Sequence, residues 1–264
     1  MERFSNKTAW VTGASSGIGE QLVYALVKQG AKVIISSRKQ ADLERVKSAC
    51  ANPEHVFVLP FDLADESSIQ QVGERALAYA GNIDYLFNNG GITQRSNVEE
   101  TQMDVYHRLM NINYFGTVAL TKAVLPNMIK NKSGKIIVIS SIMGKFAAPL
   151  RSGYAAAKHA LHGFFDALRL EMHPNNVKVL IVCPGFVKTN ISLNSVTADG
   201  SKHNEMDKIQ EKGMLASECA EKILKAVNTD KYEVYLGGTE TYAVYLKRFL
   251  PRILHKIILK SDHS

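Results

Sequence analysis

Only three of the 264 residues are cysteine, Cys50, Cys183 and Cys219, an odd number without metal-ligand spacing. That excludes a disulfide-stapled scaffold and a structural zinc module, and it suits reduced thiols packed in a reducing compartment. No stretch approaches the run of about eighteen apolar residues that a membrane span needs. Met1 to Ser5 leads straight into an apolar strand pattern without the hydrophobic segment of a secretory leader, so a cytoplasmic location is expected. Acidic residues are the minority, 25 against 32 basic ones, for a formal charge of +7. The basic surplus carries no interleaved aromatics and no recognition motif, so nucleic acid is not an expected partner. Seven prolines and a single tryptophan are scattered, with no internal repeat and no low-complexity tract.

What is present is a regular alternation. Apolar runs at 8–11, 32–36, 56–60, 83–88, 135–140, 177–182 and 232–236 are separated by helical stretches of about a dozen residues or more. Such alternation means an α/β fold built on a doubly wound parallel sheet with helices on both faces. Several runs are continuously hydrophobic, as in Lys135-Ile136-Ile137-Val138-Ile139, which is what a strand covered on both sides requires. The length suits one domain with a substantial core.

After the first strand comes Thr12-Gly13-Ala14-Ser15-Ser16-Gly17-Ile18-Gly19, then an apolar stripe of Leu22, Val23, Leu26 and Val27 that ends at Gly30. This reads as strand, tight turn and helix from Gly17. Glycines let a pyrophosphate approach the amides of a helix N-terminus, where the dipole favours an anion. The spacing is a variant of the common dinucleotide fingerprint, and Ile18 after Gly17 excludes a P-loop.

In Tyr154-Ala155-Ala156-Ala157-Lys158 a phenol and an ammonium stand four apart, stacked on one helix face. A phenol titrates at about 10, and a nearby cation is expected to lower that value toward the range of a useful proton carrier. Such a pair also occurs on ordinary solvated helices, so the weight falls on Ser141 at the end of a strand upstream. Its neighbour Ser140 competes for the role, but adjacent strand residues face opposite ways and only one can face a substrate.

Together these segments resemble the short-chain dehydrogenase/reductase family, in its hydroxysteroid-dehydrogenase-like branch. The family's TGxxxGxG falls at Thr12 to Gly19 and its YxxxK at Tyr154 to Lys158, with Asn88-Asn89-Gly90-Gly91, Asn113-Tyr114-Phe115-Gly116 and Pro184-Gly185 in order between and after them, over residues 5–238. Gly90 stands where the family usually has alanine. The resemblance implies a Rossmann-type sheet, a nicotinamide dinucleotide, and a catalytic set of Asn113, Ser141, Tyr154 and Lys158. Ser141 would steady a substrate oxygen, Tyr154 exchange its proton, Lys158 also hold the nicotinamide ribose, and Asn113 hold a water linking Lys158 to solvent. It further implies that Gly13, Ser15, Ser16, Gly17, Ile18 and Gly19 cradle the pyrophosphate, Asp62 and Leu63 border the adenine, and Asn88 and Gly90 the adenosine ribose. Val187 and Thr189, beyond Pro184 and Gly185, would meet the carboxamide. Asp62 suits equally well an N-cap ahead of the helix near Asp65.

The end of the second strand, Ser36-Ser37-Arg38-Lys39, offers hydroxyls and cations where a carboxylate would favour NAD. Arg38 can grip a 2′-phosphate, with Ser37 adding a hydrogen bond, so NADP(H) is the expected cofactor; a plain surface arginine is the other reading of Arg38. No metal is expected, because His159 and His162 have no third ligand at useful spacing.

Met143, Phe146, Pro149, Leu150, Phe186, Ile191, Leu193 and Met214 fall where the family builds its substrate pocket, which points to a lipophilic ketone, aldehyde or alcohol. The polar segment 188–213 reads as a mobile flap. The catalytic domain is expected over 1–238, followed at 239–264 by a basic amphipathic extension that Pro251 kinks or restarts. That extension suits a partner subunit, an anionic membrane surface or the mouth of its own site. The helix after Lys158 is expected to form a dimer or tetramer interface through Phe164, Phe165 and Leu168. The competing function is a non-catalytic dinucleotide sensor or scaffold on the same fold.

Overall fold

The computed structural model describes residues 4–205 and 207–260. The strands are β1 (Thr8–Thr12), β2 (Lys32–Ser36), β3 (Val56–Val58), β4 (Tyr85–Asn88), β5 (Gly134–Ile139) and β6 (Val177–Pro184), then the short pair β7 (Val187–Lys188) and β8 (Met214–Leu215), then β9 (Glu233–Leu236). All but the short pair form one seven-stranded sheet in the order β3-β2-β1-β4-β5-β6-β9. Every pairing in it is parallel. The helices are α1 (Gly17–Lys28), α2 (Gln40–Ser48), α3 (Glu66–Ala80), α4 (Met103–Met110), α5 (Gly116–Lys130), α6 (Ser152–Glu171), α7 (Lys208–Glu211), α8 (Ala216–Val227), α9 (Ala243–Phe249) and α10 (Pro251–Lys260).

The continuous apolar runs have the predicted cause. In β5, Ile137 and Ile139 belong to the core on the α1, α2 and α8 side, whereas Ile136 and Val138 belong to the core on the α3, α5 and α6 side. Successive side chains point to opposite faces, and both faces are covered. The run 56–60 is shorter as a strand than expected: β3 stops at Val58, two residues before Pro60, which has no N–H to give the ladder, although Leu59 N still donates to Ile35 O at 3.0 Å. The strand order reverses between β1 and β4, which opens a crevice at the carboxyl ends of the strands.

The extension is part of the same body. Val244 of α9 and Leu254 of α10 are buried in the core under α3, α5 and α6. Pro251 starts a new helix, at the first position, where its missing N–H has no partner to lose. Residues 261–264 of the expected extension lie outside the described residues. Phe165 and Leu168, expected at a subunit interface, are instead buried in the chain's own core, and Phe164 packs edge-to-face on Phe165 and Tyr114. No described helix is long and apolar enough to cross a membrane.

Candidate active site

The crevice is stitched together by Thr12 at the end of β1. Its hydroxyl oxygen accepts from Asn89 N at 3.1 Å and Gly90 N at 3.0 Å, and Asn89 Nδ2 returns a bond to Thr12 O at 3.0 Å. This ties the turn after β1 to the turn after β4. Gly13 and Gly17 sit at φ +62° and +58°, the left-handed region, and a Cβ on Gly13 would come within 2.8 Å of Gly90 Cα. Only glycine allows both the turn and the approach. A Cβ on Gly19 would come within 2.6 Å of Asn89 Nδ2, so that glycine permits packing behind the turn.

The result is a groove of about 400 Å³. Gly13, Ser15, Ser16, Gly17, Ile18, Ser37, Arg38, Asp62, Leu63, Gly90 and Thr189 line it. Asn88 does not: its side chain turns into the protein and donates to Thr121 Oγ1 of α5 at 3.0 Å. Asp62 lines the groove and is not the N-cap of α3, which starts at Glu66; its Oδ1 accepts from Ala64 N at 2.9 Å in a local turn. Ser37 Oγ is buried with no hydrogen-bond partner in the protein. An orphaned hydroxyl, a guanidinium beside it and a glycine-lined floor fit a phosphorylated dinucleotide.

A second cavity, of about 370 Å³, adjoins the groove and shares Ile18, Asn89, Gly91, Thr189 and Ile191 with it. Ser141, Tyr154, Lys158, Pro184, Gly185 and Val187 line this cavity, so the two motifs that lie far apart in sequence meet at one wall. Ser141 is the N-cap of a short turn, with Oγ accepting from Met143 N at 3.1 Å. Ser140 Oγ pairs with His162 Nε2 at 3.0 Å in the interior, so the two serines face opposite ways.

Lys158 is buried, with Nζ donating to Ile139 O at 2.8 Å and lying 5.7 Å from the centroid of the Tyr154 ring. Burial pulls its pKa down to about 8. Tyr154 differs from expectation. Burial is the dominant influence and raises its pKa, against the lowering effects of the Ser141 hydrogen bond and of the Arg151 charge. The expected depression by Lys158 is therefore not found: desolvation of the phenol dominates, and the cation that acts on Tyr154 is Arg151.

Asn113 lies in a π-helical turn, Asn111–Phe115, between α4 and α5. Its amide is tied to Ile92, accepting from the N–H at 2.8 Å and donating to the carbonyl at 2.9 Å. It lines neither cavity, but a Cβ on Gly91 would lie 2.8 Å from Asn113 Oδ1 and 3.8 Å from Lys158 Nζ, so only a glycine separates the two.

Of the expected pocket residues, Met143, Phe146, Pro149, Phe186 and Ile191 line the cavity, whereas Leu150, Leu193 and Met214 do not. Met214 pairs with Val187 in the β7–β8 ladder. Three helix-borne side chains complete the apolar wall, Leu254, Ile257 and Ile258 of α10, so the extension covers the mouth of its own site. The segment 188–213, expected to be a mobile flap, is anchored: Val196 donates to Thr93 O at 2.9 Å, its carbonyl accepts from Arg95 N at 2.8 Å, and Ser192, Ser195 and Val196 are buried. Sequence reading missed Arg95, Arg151 and Asp207, which also line the cavity.

Behind Ser140 the fold brings together what spacing in the sequence did not. His162, Cys183 and Glu233 place ligand-type atoms within 4.8 Å of one another. Glu233 is already engaged, with Lys145 Nζ at 2.7 Å and His162 Nδ1 at 3.1 Å, and it also accepts from the Tyr235 hydroxyl. Those partners overcome burial and hold its carboxyl down at about 2.

A family model described as short chain dehydrogenase matches residues 7–199. Mouse dehydrogenase/reductase SDR family member 7B is 40% identical over 259 residues, 96% of this chain and 80% of the relative. Human dehydrogenase/reductase SDR family member 7 is 42% identical over 255 residues, 94% of this chain and 75% of the relative. Among solved structures, a short chain dehydrogenase from Burkholderia cenocepacia in complex with NADP superposes with a TM-score of 0.81 at 26% identity, covering 98% of this chain and 99% of that one.

Proposed function

The chain belongs to the short-chain dehydrogenase/reductase family, and on that premise we propose that it interconverts a lipophilic ketone or aldehyde and the corresponding alcohol with NADP(H). The observation that carries this reading is that Ser141, Tyr154 and Lys158 meet in a largely apolar cavity that shares a wall with the glycine-floored groove. NADP(H), when bound, supplies or accepts the hydride.

The chain's own residues handle the oxygen and its proton. Ser141 Oγ holds the substrate oxygen, and Tyr154 gives its proton during reduction and takes one during oxidation. The raised pKa of Tyr154 keeps it a phenol at neutral pH, which is the form that ketone reduction needs. Lys158, fixed through Ile139 O and charged below about pH 8, is the group suited to the nicotinamide ribose, while the Arg151 charge and the Ser141 hydrogen bond favour the phenolate once the proton has left. Arg38 and the unpartnered Ser37 hydroxyl are the groups suited to a 2′-phosphate, a reading supported by the NADP-bound relative. Burial of Tyr154 and Lys158 keeps water from the reacting atoms.

The test is cofactor oxidation against a panel of aliphatic, aromatic and steroidal carbonyls with NADPH and with NADH. NADPH-linked turnover that Tyr154→Phe removes supports the proposal. Tight dinucleotide binding with no turnover of any carbonyl selects a sensor instead.

A further inference from the structure

We propose that Glu240 is a positioning residue: its carboxylate fixes the turn at Gly185 and Phe186, and through it the wall at Val187 and Thr189 that receives the nicotinamide end of the cofactor. The cofactor is that of the oxidoreductase proposed above, and the role rests on that reading. Glu240 lies outside residues 7–199, the segment that the family model matches. Strands β6 and β9 end side by side, with Pro184 opposite Leu236, and Gly185 N donates to Leu236 O at 2.8 Å. Past this point both segments turn, and the Glu240 side chain bridges the turns. Its Oε1 accepts from Phe186 N at 3.2 Å and from Gly238 N at 3.0 Å. A Cβ on Gly185 would lie 2.2 Å from that oxygen, and one on Gly237 2.4 Å, so both turns carry glycine where the carboxylate needs the room.

The constraint is passed along the wall. Phe186 is held on both sides, its N by Glu240 and its O by Met214 N at 3.0 Å. Val187 is buried and pairs with Met214 in the β7–β8 ladder. Two residues on, the methyl group of Thr189 stands 3.0 Å from where a Cβ on Gly17 would be, so this segment packs on the glycine turn. Thr189 lines both the groove and the cavity. Ser37 and Arg38, suited to the 2′-phosphate, line the groove alone, whereas Gly185, Phe186 and Val187 line the cavity alone. The two ends of a dinucleotide therefore meet separate sets of residues, and Glu240 secures the set on the cavity side. The same residue opens into the turn Thr239–Tyr242 that leads to α9 and α10, so the helix at the cavity mouth starts from this anchor.

Calorimetry on the full chain compares NADPH with 2′,5′-ADP, the adenosine-side fragment that lacks the nicotinamide; should NADH bind more tightly, NADH and ADP take their places. Glu240→Ala should weaken the dinucleotide about 10-fold, on the order of one lost charge-assisted hydrogen bond, and leave the fragment within about 2-fold. Glu240→Gln, which keeps an acceptor oxygen, should recover most of the loss. Fragment binding also shows that each variant is folded. Equal weakening of dinucleotide and fragment, weakening of neither, or a glutamine variant as impaired as the alanine variant overturns the proposal. Dinucleotide bound without turnover of any carbonyl ends the oxidoreductase reading and leaves these comparisons valid. If wild type binds no dinucleotide, that reading fails and the cofactor half of the proposal falls with it. Hydrogen exchange of the Phe186 amide in the ligand-free protein then decides the clamp itself: exchange about 10-fold faster in Glu240→Ala than in wild type and Glu240→Gln supports it, and unchanged exchange overturns it.

Discussion

The groove under the glycine turn and the cavity over Tyr154 have nearly the same volume, about 400 and 370 Å³, yet they are built by opposite means. The groove is shaped by backbone: positive φ at Gly13 and Gly17, and amides of Asn89 and Gly90 clamped to Thr12. The cavity is shaped by side chains carried in from the loops around Thr93, Pro149, Phe186 and Asp207 and from α10. A ligand that never changes can be met by fixed backbone. A ligand that defines the individual protein must be met by side chains, which can vary without disturbing the sheet.

The largest effect should separate the two regions outright. Tyr154→Phe removes one hydroxyl from the cavity and nothing from the glycine turn. Turnover is expected to fall by about 10²- to 10⁴-fold, the usual worth of general acid–base catalysis. Dinucleotide affinity, measured by quenching of protein fluorescence, should fall far less. A comparable loss in both would mean that groove and cavity are one energetic unit.

Lys158 stands on the cavity side and allows a sharper test through pH. Burial lowers its pKa from 10.5 to about 8, so the folded protein releases a proton that the unfolded chain keeps between those values. Stability relative to Lys158→Met should therefore be lowest below about pH 8 and rise toward pH 10.5, by up to about 3 kcal/mol. The comparison cancels the hydrogen bond to Ile139, which the variant loses at every pH. Thermal melting of both proteins across this range checks it; a difference independent of pH would mean that the ammonium is solvated.

These contrasts also explain what could be read from the sequence. Groove residues were legible because a backbone turn needs its glycines contiguous, so Gly13, Gly17 and Gly19 fall within one short motif. Tyr154 and Lys158 were legible because helical spacing stacks them. Even so, Asn88 belongs to a groove motif but turns to Thr121, since the neighbouring Asn89 already serves the turn. The phenol's titration is not legible in the sequence because burial, a tertiary quantity, governs it, and the cation that acts on it is Arg151 rather than the lysine four residues away. Arg95, Arg151 and Asp207 were invisible because their meeting depends on three loops converging, and polar loop residues show no periodicity. The amphipathic pattern of α10 allowed three roles, and its contact with the mouth of the cavity became visible only through the packing of Leu254.

On the groove side, Ser37→Asp should replace an unpartnered hydroxyl with a carboxylate beside Arg38. Repulsion of a 2′-phosphate is expected to raise the KM for NADPH by about 10- to 100-fold, with a smaller change for NADH. The substrate KM measured at saturating cofactor should stay close to wild type, because the change lies in the groove. An NADPH preference that persists would place the phosphate elsewhere in the groove.

The smallest effect tests whether the cavity's apolar wall extends to α10. Ile257 lines the cavity yet is 51% exposed, so Ile257→Ser leaves no buried void and should cost little stability. Its contribution to a long apolar chain is that of a partly buried aliphatic group, about 1 kcal/mol, or roughly 5-fold in kcat/KM. Short ketones that end before α10 should show no such loss. Comparing a homologous series of chain lengths in both proteins therefore locates the point at which the substrate reaches the helix. If the variant weakens every chain length equally, α10 acts by holding the fold rather than by touching substrate.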